Sequence, residues 1–465
     1  MAFFQLRSPA GTVWPPVPAP EVSQVWAAYQ ELDRTQWLTP ADLAACQLQQ
    51  LRALLAHCSQ QVPFYRRLLS EAGLDRRPIE TLSDFRRLPL LTRELYQTHF
   101  ADMQARTLPA GMTAAGGSFT SGTNGVPIKV LKTNRDSLWW SAFYLRDLEW
   151  SGLDPRGRLA AIRLIAMSPT DLPQALEGFS VPHWTPFCAI LMETGPLFGM
   201  DIRQDPRRQL AWLRKIKPEY LLSLPSNLSY LAGLIQESGE RLRSLRAIQA
   251  IGEPLTEYVR QCIEDGFGVP VKNLYSTTET GYIASPCPRG EGLHVHAENV
   301  LAEVLDADNK PCQPGQTGRL VVTSLNNFLT PFLRYDILDD VTLAPGPCPC
   351  GRGLPLWTHV EGRQVPLLHL AGGRRKSVLG LILGVRKVGG FHQFQIIQRA
   401  VDHVLLRIVP DGTWSPDHAE RLRQAVYEEF EAAIQVTIEQ KEFLERPPGG
   451  KLKLAIVEMD KGSLS

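Results

Sequence analysis

Between residues 111 and 360, short β-branched or aliphatic runs take turns with helix-like stretches, and this alternation limits the fold more than any other feature of the chain. Leu159-Ala160-Ala161-Ile162-Arg163-Leu164-Ile165, Tyr220-Leu221-Leu222-Ser223-Leu224 and Ala247-Ile248-Gln249-Ala250-Ile251 are such runs. Strands alternating with helices imply mixed or parallel α/β sheets. Ahead of them, residues 1–110 carry helical periodicity, as in Leu43 to Leu55, with proline-rich breaks at 15–20 and near Pro89. Behind them, after Gly362, the pattern becomes a small α+β unit: Phe394 to Gln398 and Val404 to Val409 read as strands, and Asp417 to Ile434 reads as an amphipathic helix. At 465 residues the chain exceeds the size at which a single core stops growing. The expected fold is therefore α/β, with a large N-terminal domain over 1–361 that has mixed sheets and a helical front section over 1–110, and a C-terminal α+β domain over 362–465.

Lys plus Arg number 49 against 48 for Asp plus Glu, a net charge of +1, so the basic excess of a nucleic-acid or membrane-surface binder is missing. No uninterrupted apolar run reaches the 18 residues of a membrane span, and Met1 to Arg7 does not read as a signal peptide. These features lead to an expectation of a cytoplasmic enzyme of small-molecule chemistry, with no nucleic-acid or membrane partner.

Ser118-Phe119-Thr120-Ser121-Gly122-Thr123-Asn124-Gly125-Val126-Pro127 interleaves hydroxyl groups with glycines. Glycine lets backbone approach an anion closely, and Ser/Thr hydroxyls with free N–H groups donate to phosphate oxygens, so the loop reads as a triphosphate grip without the Walker pattern. A second hydroxyl-rich segment, Asn273 to Tyr282, follows a strand and sets Tyr275, Ser276, Thr277, Thr278 and Glu279 together. Tyr275 can lie against a purine, Thr278 can bond a phosphate, and Glu279 is a hard oxygen ligand suited to magnesium. A third, Pro331 to Asp339, ends an apolar strand in an acid able to accept both ribose hydroxyls. Cys287, His294 and the pair Cys348 and Cys350 form two pairs of soft ligands on separated loops, which suits a closed tetrahedral zinc site of structural purpose. His296 competes with His294, because strand alternation puts both on one face.

In this order, the segments resemble the adenylate-forming (acyl-CoA synthetase-like) superfamily, specifically its phenylacetate-CoA ligase branch. Thr120 to Pro127 looks like the family's phosphate loop, with Asn124 where Thr or Ser is usual. Ile251-Gly252-Glu253-Pro254-Leu255 looks like the branch's Gly-Gly-Glu-Pro-Leu turn beside the adenine, with Ile251 in place of the first glycine. Tyr275 to Glu279 is similar to Tyr-Gly-x-Thr-Glu, Arg334 to Asp339 to Arg-Tyr-x-x-x-Asp, and Gly362-Arg363 to the interdomain hinge. The front section, Val62 to Arg67 and Leu88 to Thr92, matches as well, and some members of the branch carry such a zinc site. Pro447-Pro448-Gly449-Gly450-Lys451-Leu452-Lys453 resembles the closing Gly-Lys element. A mobile ammonium is wanted there because carboxylate attack on an α-phosphate brings negative charges together. Lys451 is the candidate and Lys453 the reserve.

The resemblance implies ATP- and magnesium-dependent activation of a carboxylic acid to an acyl-adenylate by an acid-thiol ligase, then acyl transfer, with coenzyme A the favoured acceptor and an aryl or arylacetic acid the favoured substrate. It implies a mobile C-terminal lid. Thr120, Ser121, Gly122, Thr123 and Gly125 would hold phosphates, Gly252, Glu253, Pro254, Tyr275 and the hydroxyls of Ser276 to Thr278 the nucleotide, Glu279 the metal, and Asp339 with Arg363 the ribose. After Arg363 the usual acidic hinge is replaced by Gln364-Val365-Pro366, with Gly372-Gly373 as an alternative turn and Arg374, Arg375 and Lys376 beside it. That departure keeps an amine or a carrier-protein thiol open as acceptor, and a non-catalytic zinc-stabilised scaffold is the more distant alternative. Phe179, His183, Trp184 and Phe187 form either an acyl-pocket wall or core. Whether the chain acts as a monomer or a homodimer is left open by its sequence.

Overall fold

The computed structural model describes residues 4–12, 14–75, 78–120, 127–165, 168, 170–289, 292–363, 367–447 and 450–458. The phosphate-loop candidates Ser121, Gly122, Thr123 and Gly125 lie outside the described residues, as does the side chain of Arg363.

Twelve strands among the described residues join into one sheet, running from Val300–Leu305 at one edge to Phe179–Val181 at the other. Its two halves differ in sense. Leu159–Arg163, Tyr220–Ser223 and Ala247–Ile251, the runs expected from sequence, pair in parallel, and Val271–Thr277 extends them in parallel. On its other side Val271–Thr277 pairs antiparallel with Gly281–Pro286, and from there the sheet stays antiparallel. Ligands in α/β sheets collect at the carboxyl ends of strands where the topology switches. Here that place is the end of Val271–Thr277, which is also where the Tyr275 to Glu279 segment falls.

The parallel strands read as continuous apolar runs because helices bury both their faces. Ile162, Leu221 and Ile248 are fully buried with Leu213, Leu228 and Leu231 of the covering helices. The helical front section contributes Pro20–Thr35, Pro40–Gln61 and Pro63–Glu71, each opened by a proline whose missing N–H costs a helix start nothing. It has no core of its own: Leu51, Leu54, Tyr65 and Phe85 pack with Val322, Phe332 and Trp357 of the antiparallel half. Arg334 pins the two together. Its buried guanidinium donates to the carbonyls of Arg86 (2.7 Å) and Leu88 (2.6 Å) and pairs with Glu303 at 3.0 Å.

Beyond residue 366 a four-stranded sheet, in the order Gln435–Gln440, His403–Pro410, Phe391–Ala400, Ala455–Val457, carries the helices Leu379–Val388 and Pro416–Phe430 over a separate apolar core. The second helix stops four residues short of the expected Ile434. Glu431 takes a left-handed conformation (φ 57°), so that Gln435 can donate to the carbonyl of Asp402 and begin a strand. Gly372 and Gly373 make the turn of a small hairpin, Leu367–His369 with Arg375–Ser377. Arg374 and Lys376 pair there with Glu431 (3.0 Å) and Glu429 (3.2 Å) of the same unit. Among the described residues, no helix is long and apolar enough to cross a membrane.

Candidate active site

A cavity of about 1490 Å³ opens where the switch point of the large sheet faces the C-terminal unit. It exceeds the roughly 300–1,000 Å³ of a single small-molecule pocket, so it has room for more than one reactant. Thr120, Gly252, Glu253, Pro254, Tyr275, Ser276, Thr277, Thr278, Glu279, Asp339 and Lys451, eleven of the positions singled out in sequence, all line it.

Thr120 closes the hairpin that carries the phosphate-loop candidate: its N–H donates to the Ile128 carbonyl and its Oγ1 accepts from the Ile128 N–H, both at 3.0 Å, with Arg93 at 3.3 Å. Thr277 folds the next turn on itself, its Oγ1 accepting from the Thr280 N–H at 3.2 Å. That turn buries Glu279, which Tyr335 approaches through its hydroxyl at 3.4 Å. Tyr275 donates to Asp339 Oδ2 at 2.5 Å, so the purine and ribose candidates are coupled across two strands. Gly252 turns the chain with φ 75°, a conformation only glycine adopts without strain. Ile251, which replaces the first glycine of the motif, is the last residue of the preceding strand and packs beside the core.

Lys451 arrives from the other unit. Its Cε and Nζ lie 3.7 and 4.0 Å from where a Cβ on Gly252 would be, which puts the ammonium directly over the nucleotide-turn candidate. Lys453 is exposed.

Two features were missed in the sequence. Lys132 lines the cavity and donates to the carbonyl of Glu279 at 3.4 Å; burial pulls its pKa down, while Asp136 and Glu279 pull it back. The aromatic wall comes from Trp139, Trp140 and Phe143, on the helix Asn134–Ser151, with Tyr282 at 4.6 Å from the Trp140 ring. Phe179, His183, Trp184 and Phe187 do not line the cavity: Trp184 is buried with its indole on the Gly157 carbonyl, and Phe187 packs on Tyr144.

Away from the cavity, the ligand atoms of Cys287, His294, Cys348 and Cys350 lie within 4.8 Å of one another. Cys287 Sγ is 3.6 Å from Cys348 Sγ, and His294 Nε2 is 3.2 Å from Cys350 Sγ. Tetrahedral zinc with bonds of about 2.3 Å to sulfur sets two thiolates about 3.8 Å apart, so the donor set fits that ion. Burial holds the His294 pKa near 4, which leaves the imidazole neutral as a ligand must be, and Nδ1 meets the Leu354 carbonyl at 3.2 Å. His296 is committed elsewhere, with Nε2 at 2.9 Å from Ser285 Oγ and Nδ1 at 3.3 Å from Arg146. The cluster would clip the loop after Gly281–Pro286 to the connection between Tyr335–Leu343 and Leu356–Arg363.

A known family of AMP-binding enzymes matches residues 42–330, more than half of the chain. The chain belongs to the AMP-binding enzyme family. Within this family its similarity runs to phenylacetate-coenzyme A ligases. The protein of that name from Thermus thermophilus is 26% identical over 88% of this chain and 95% of its own length, and the one from Escherichia coli is 24% identical over 74% and 76%. Among solved structures, 2-hydroxyisobutyryl-CoA ligase in the postadenylation state superposes with a TM-score of 0.71 at 20% identity, covering 93% of this chain and 92% of that one. At that identity the likeness establishes the fold: an AMP-binding enzyme with a large α/β body and a C-terminal unit.

Proposed function

We propose that this AMP-binding enzyme activates a carboxylic acid with ATP and passes the acyl group to coenzyme A. In the first step the carboxylate oxygen attacks the α-phosphorus and pyrophosphate leaves, giving an acyl-adenylate. In the second the thiolate of coenzyme A attacks the acyl carbon and AMP leaves. The observation that carries this reading is Lys451, brought from the C-terminal unit over the Gly252 turn and lining a cavity that Tyr275, Glu279 and Asp339 also line. The ammonium would bridge carboxylate and α-phosphate, charges that repel until the bond forms. Asp339, with Arg363 opposite it in the strand register, would take the ribose; the Gly252 to Pro254 turn and Tyr275 the adenine; and Thr120 to Gly125 with Ser276 to Thr278 the phosphates. Glu279 is a buried carboxylate at the cavity wall and would hold a magnesium ion, which would offset the polyphosphate charge.

Trp139, Trp140, Phe143 and Tyr282 support an aryl or arylacetic acid as substrate, in keeping with the names of the phenylacetate-coenzyme A ligases. The zinc clip would hold the two nucleotide-binding segments in register and take no part in the reaction.

ATP–pyrophosphate exchange across a panel of aryl, arylacetic, fatty and hydroxy acids, without acceptor, tests the reading. Exchange with one acid class is expected. Lys451→Ala should cut it by roughly 10²–10³, the scale for losing one transition-state donor, while calorimetry still detects ATP binding. No exchange with any acid, or full exchange in the variant, would overturn the reading or the assignment of Lys451 respectively.

A further inference from the structure

Two sets of contacts between the C-terminal unit and the large body bear on Lys451. One holds the unit's sheet. His392 Nε2 lies 2.9 Å from Glu237 Oε1, the Gly412 N–H donates to the same oxygen at 2.9 Å, and the His392 ring packs 5.1 Å from that of Tyr230. All of these land on one helix of the body, Pro225–Ser238. The other set holds the strap between the last two strands, Gln435–Gln440 and Ala455–Val457, which carries Lys451. Tyr230 donates to the Glu442 carbonyl at 3.2 Å, and Leu444 is buried in the core of the parallel half, with Phe443 and Leu452 against it.

At the centre of the strap is Arg446, with only 5% of its side chain exposed. Its guanidinium donates through one nitrogen to the Gly450 carbonyl at 2.9 Å and through the other to Ser226 Oγ at 3.0 Å. It lies 3.9 Å from Glu253 Oε1, while the other oxygen of Glu253 accepts from the Ser226 N–H at 2.9 Å. One planar fork therefore ties three places together: the carbonyl just before Lys451, the start of the docking helix, and the acid of the nucleotide turn. Arginine suits this because its donors diverge in a fixed plane and its charge survives burial.

We propose that Arg446 is a positioning residue for the adenylation step, holding Gly450 and hence Lys451 over the Gly252 turn. The proposal rests on the reading of Lys451 given above. Acyl transfer releases no pyrophosphate and brings no carboxylate onto phosphorus, so it has no need of Lys451 in that place. Arg446 should accordingly matter to one half-reaction and not to the other.

Arg446→Met and Arg446→Lys decide this when three quantities are compared with wild type: kcat and the KM for ATP in pyrophosphate exchange, the rate of coenzyme A acylation from preformed acyl-adenylate, and the thermal midpoint. A displacement of about 1 Å at a reacting group costs on the order of 10²-fold. Exchange kcat should fall about 10- to 100-fold in Arg446→Met, with the KM for ATP and the acylation rate each within about two-fold. Arg446→Lys should recover only part, since one ammonium cannot serve both Gly450 and Ser226. Unchanged exchange, an effect confined to KM, or equal losses in both half-reactions would overturn the proposal. If the methionine variant does not fold, the lysine variant decides by the same split. A wild-type enzyme without exchange would instead overturn the adenylation reading itself.

Discussion

Asp147 should make the stability of this fold fall as pH rises from about 4 through about 6. It is fully buried on the helix Asn134–Ser151; Gln249 donates to its Oδ2, and Oδ1 has no hydrogen-bond partner among the described residues. Burial disfavours the charged form and raises its pKa from 3.8 to about 6, against the opposing pull of Ser285 and Gln249. A raised folded-state pKa means that the neutral carboxyl stabilises the fold fully below about 3.8, and that this contribution is lost as pH rises through about 6. A displacement of about two units corresponds to ~3 kcal/mol. Denaturant unfolding of wild type and Asp147→Asn at a series of pH values should show the variant gaining on wild type by up to that amount between pH 4 and 7; a flat difference would refute the assignment. Single residues were also where the sequence was least legible. Alternation could not choose between His294 and His296 because it presumes a continuing strand, whereas Leu293–Val295 ends after three residues and His296 turns towards Arg146. The cavity aromatics escaped notice for a similar reason: Trp139, Trp140 and Phe143 have the spacing of an ordinary buried helix face.

Elements were more legible, because periodicity and spacing are properties of segments. The three parallel strands, the front helices and both lid strands lie where the apolar runs put them, and the motif segments converge on the switch point of the sheet. Hidden from the sequence was the strap's anchor: Arg446 precedes two prolines and two glycines, and nothing in that spacing indicates a buried charge. The Cys287, His294, Cys348 and Cys350 cluster belongs to the same scale, since a strand, the loop before it and a distant connection meet only in the folded sheet. The purified enzyme should contain about one equivalent of zinc, as a closed four-ligand site predicts. Cys348→Ser should lose the metal and lower the thermal midpoint, because binding to the folded state alone adds to stability. Metal analysis with thermal denaturation checks both, and a metal-free enzyme with an unchanged midpoint would leave the thiols as ordinary core residues.

Across the whole molecule, everything proposed for Lys451 depends on how the C-terminal unit seats on Pro225–Ser238, and Gly233 shows how close that fit is. A glycine inside a 14-residue helix costs about 1 kcal/mol relative to alanine, so propensity alone favours replacing it. A Cβ at this position, however, would lie 2.5 Å from His392 Nδ1, well inside contact distance. The ring has little room to yield, being packed on Tyr230 and held beside Glu237. Gly233→Ala should therefore leave the core of the body intact, or make it slightly more stable, while loosening the docked lid. Overpacking of this kind costs roughly 1–3 kcal/mol, enough to lower pyrophosphate exchange about ten-fold or more at an unchanged or higher thermal midpoint, with a larger radius of gyration in small-angle scattering. Full exchange with unchanged scattering would mean that the ring swings aside at no cost and that the strap's own bonds to this helix, Arg446 to Ser226 and Tyr230 to Glu442, seat the unit without the His392 contact.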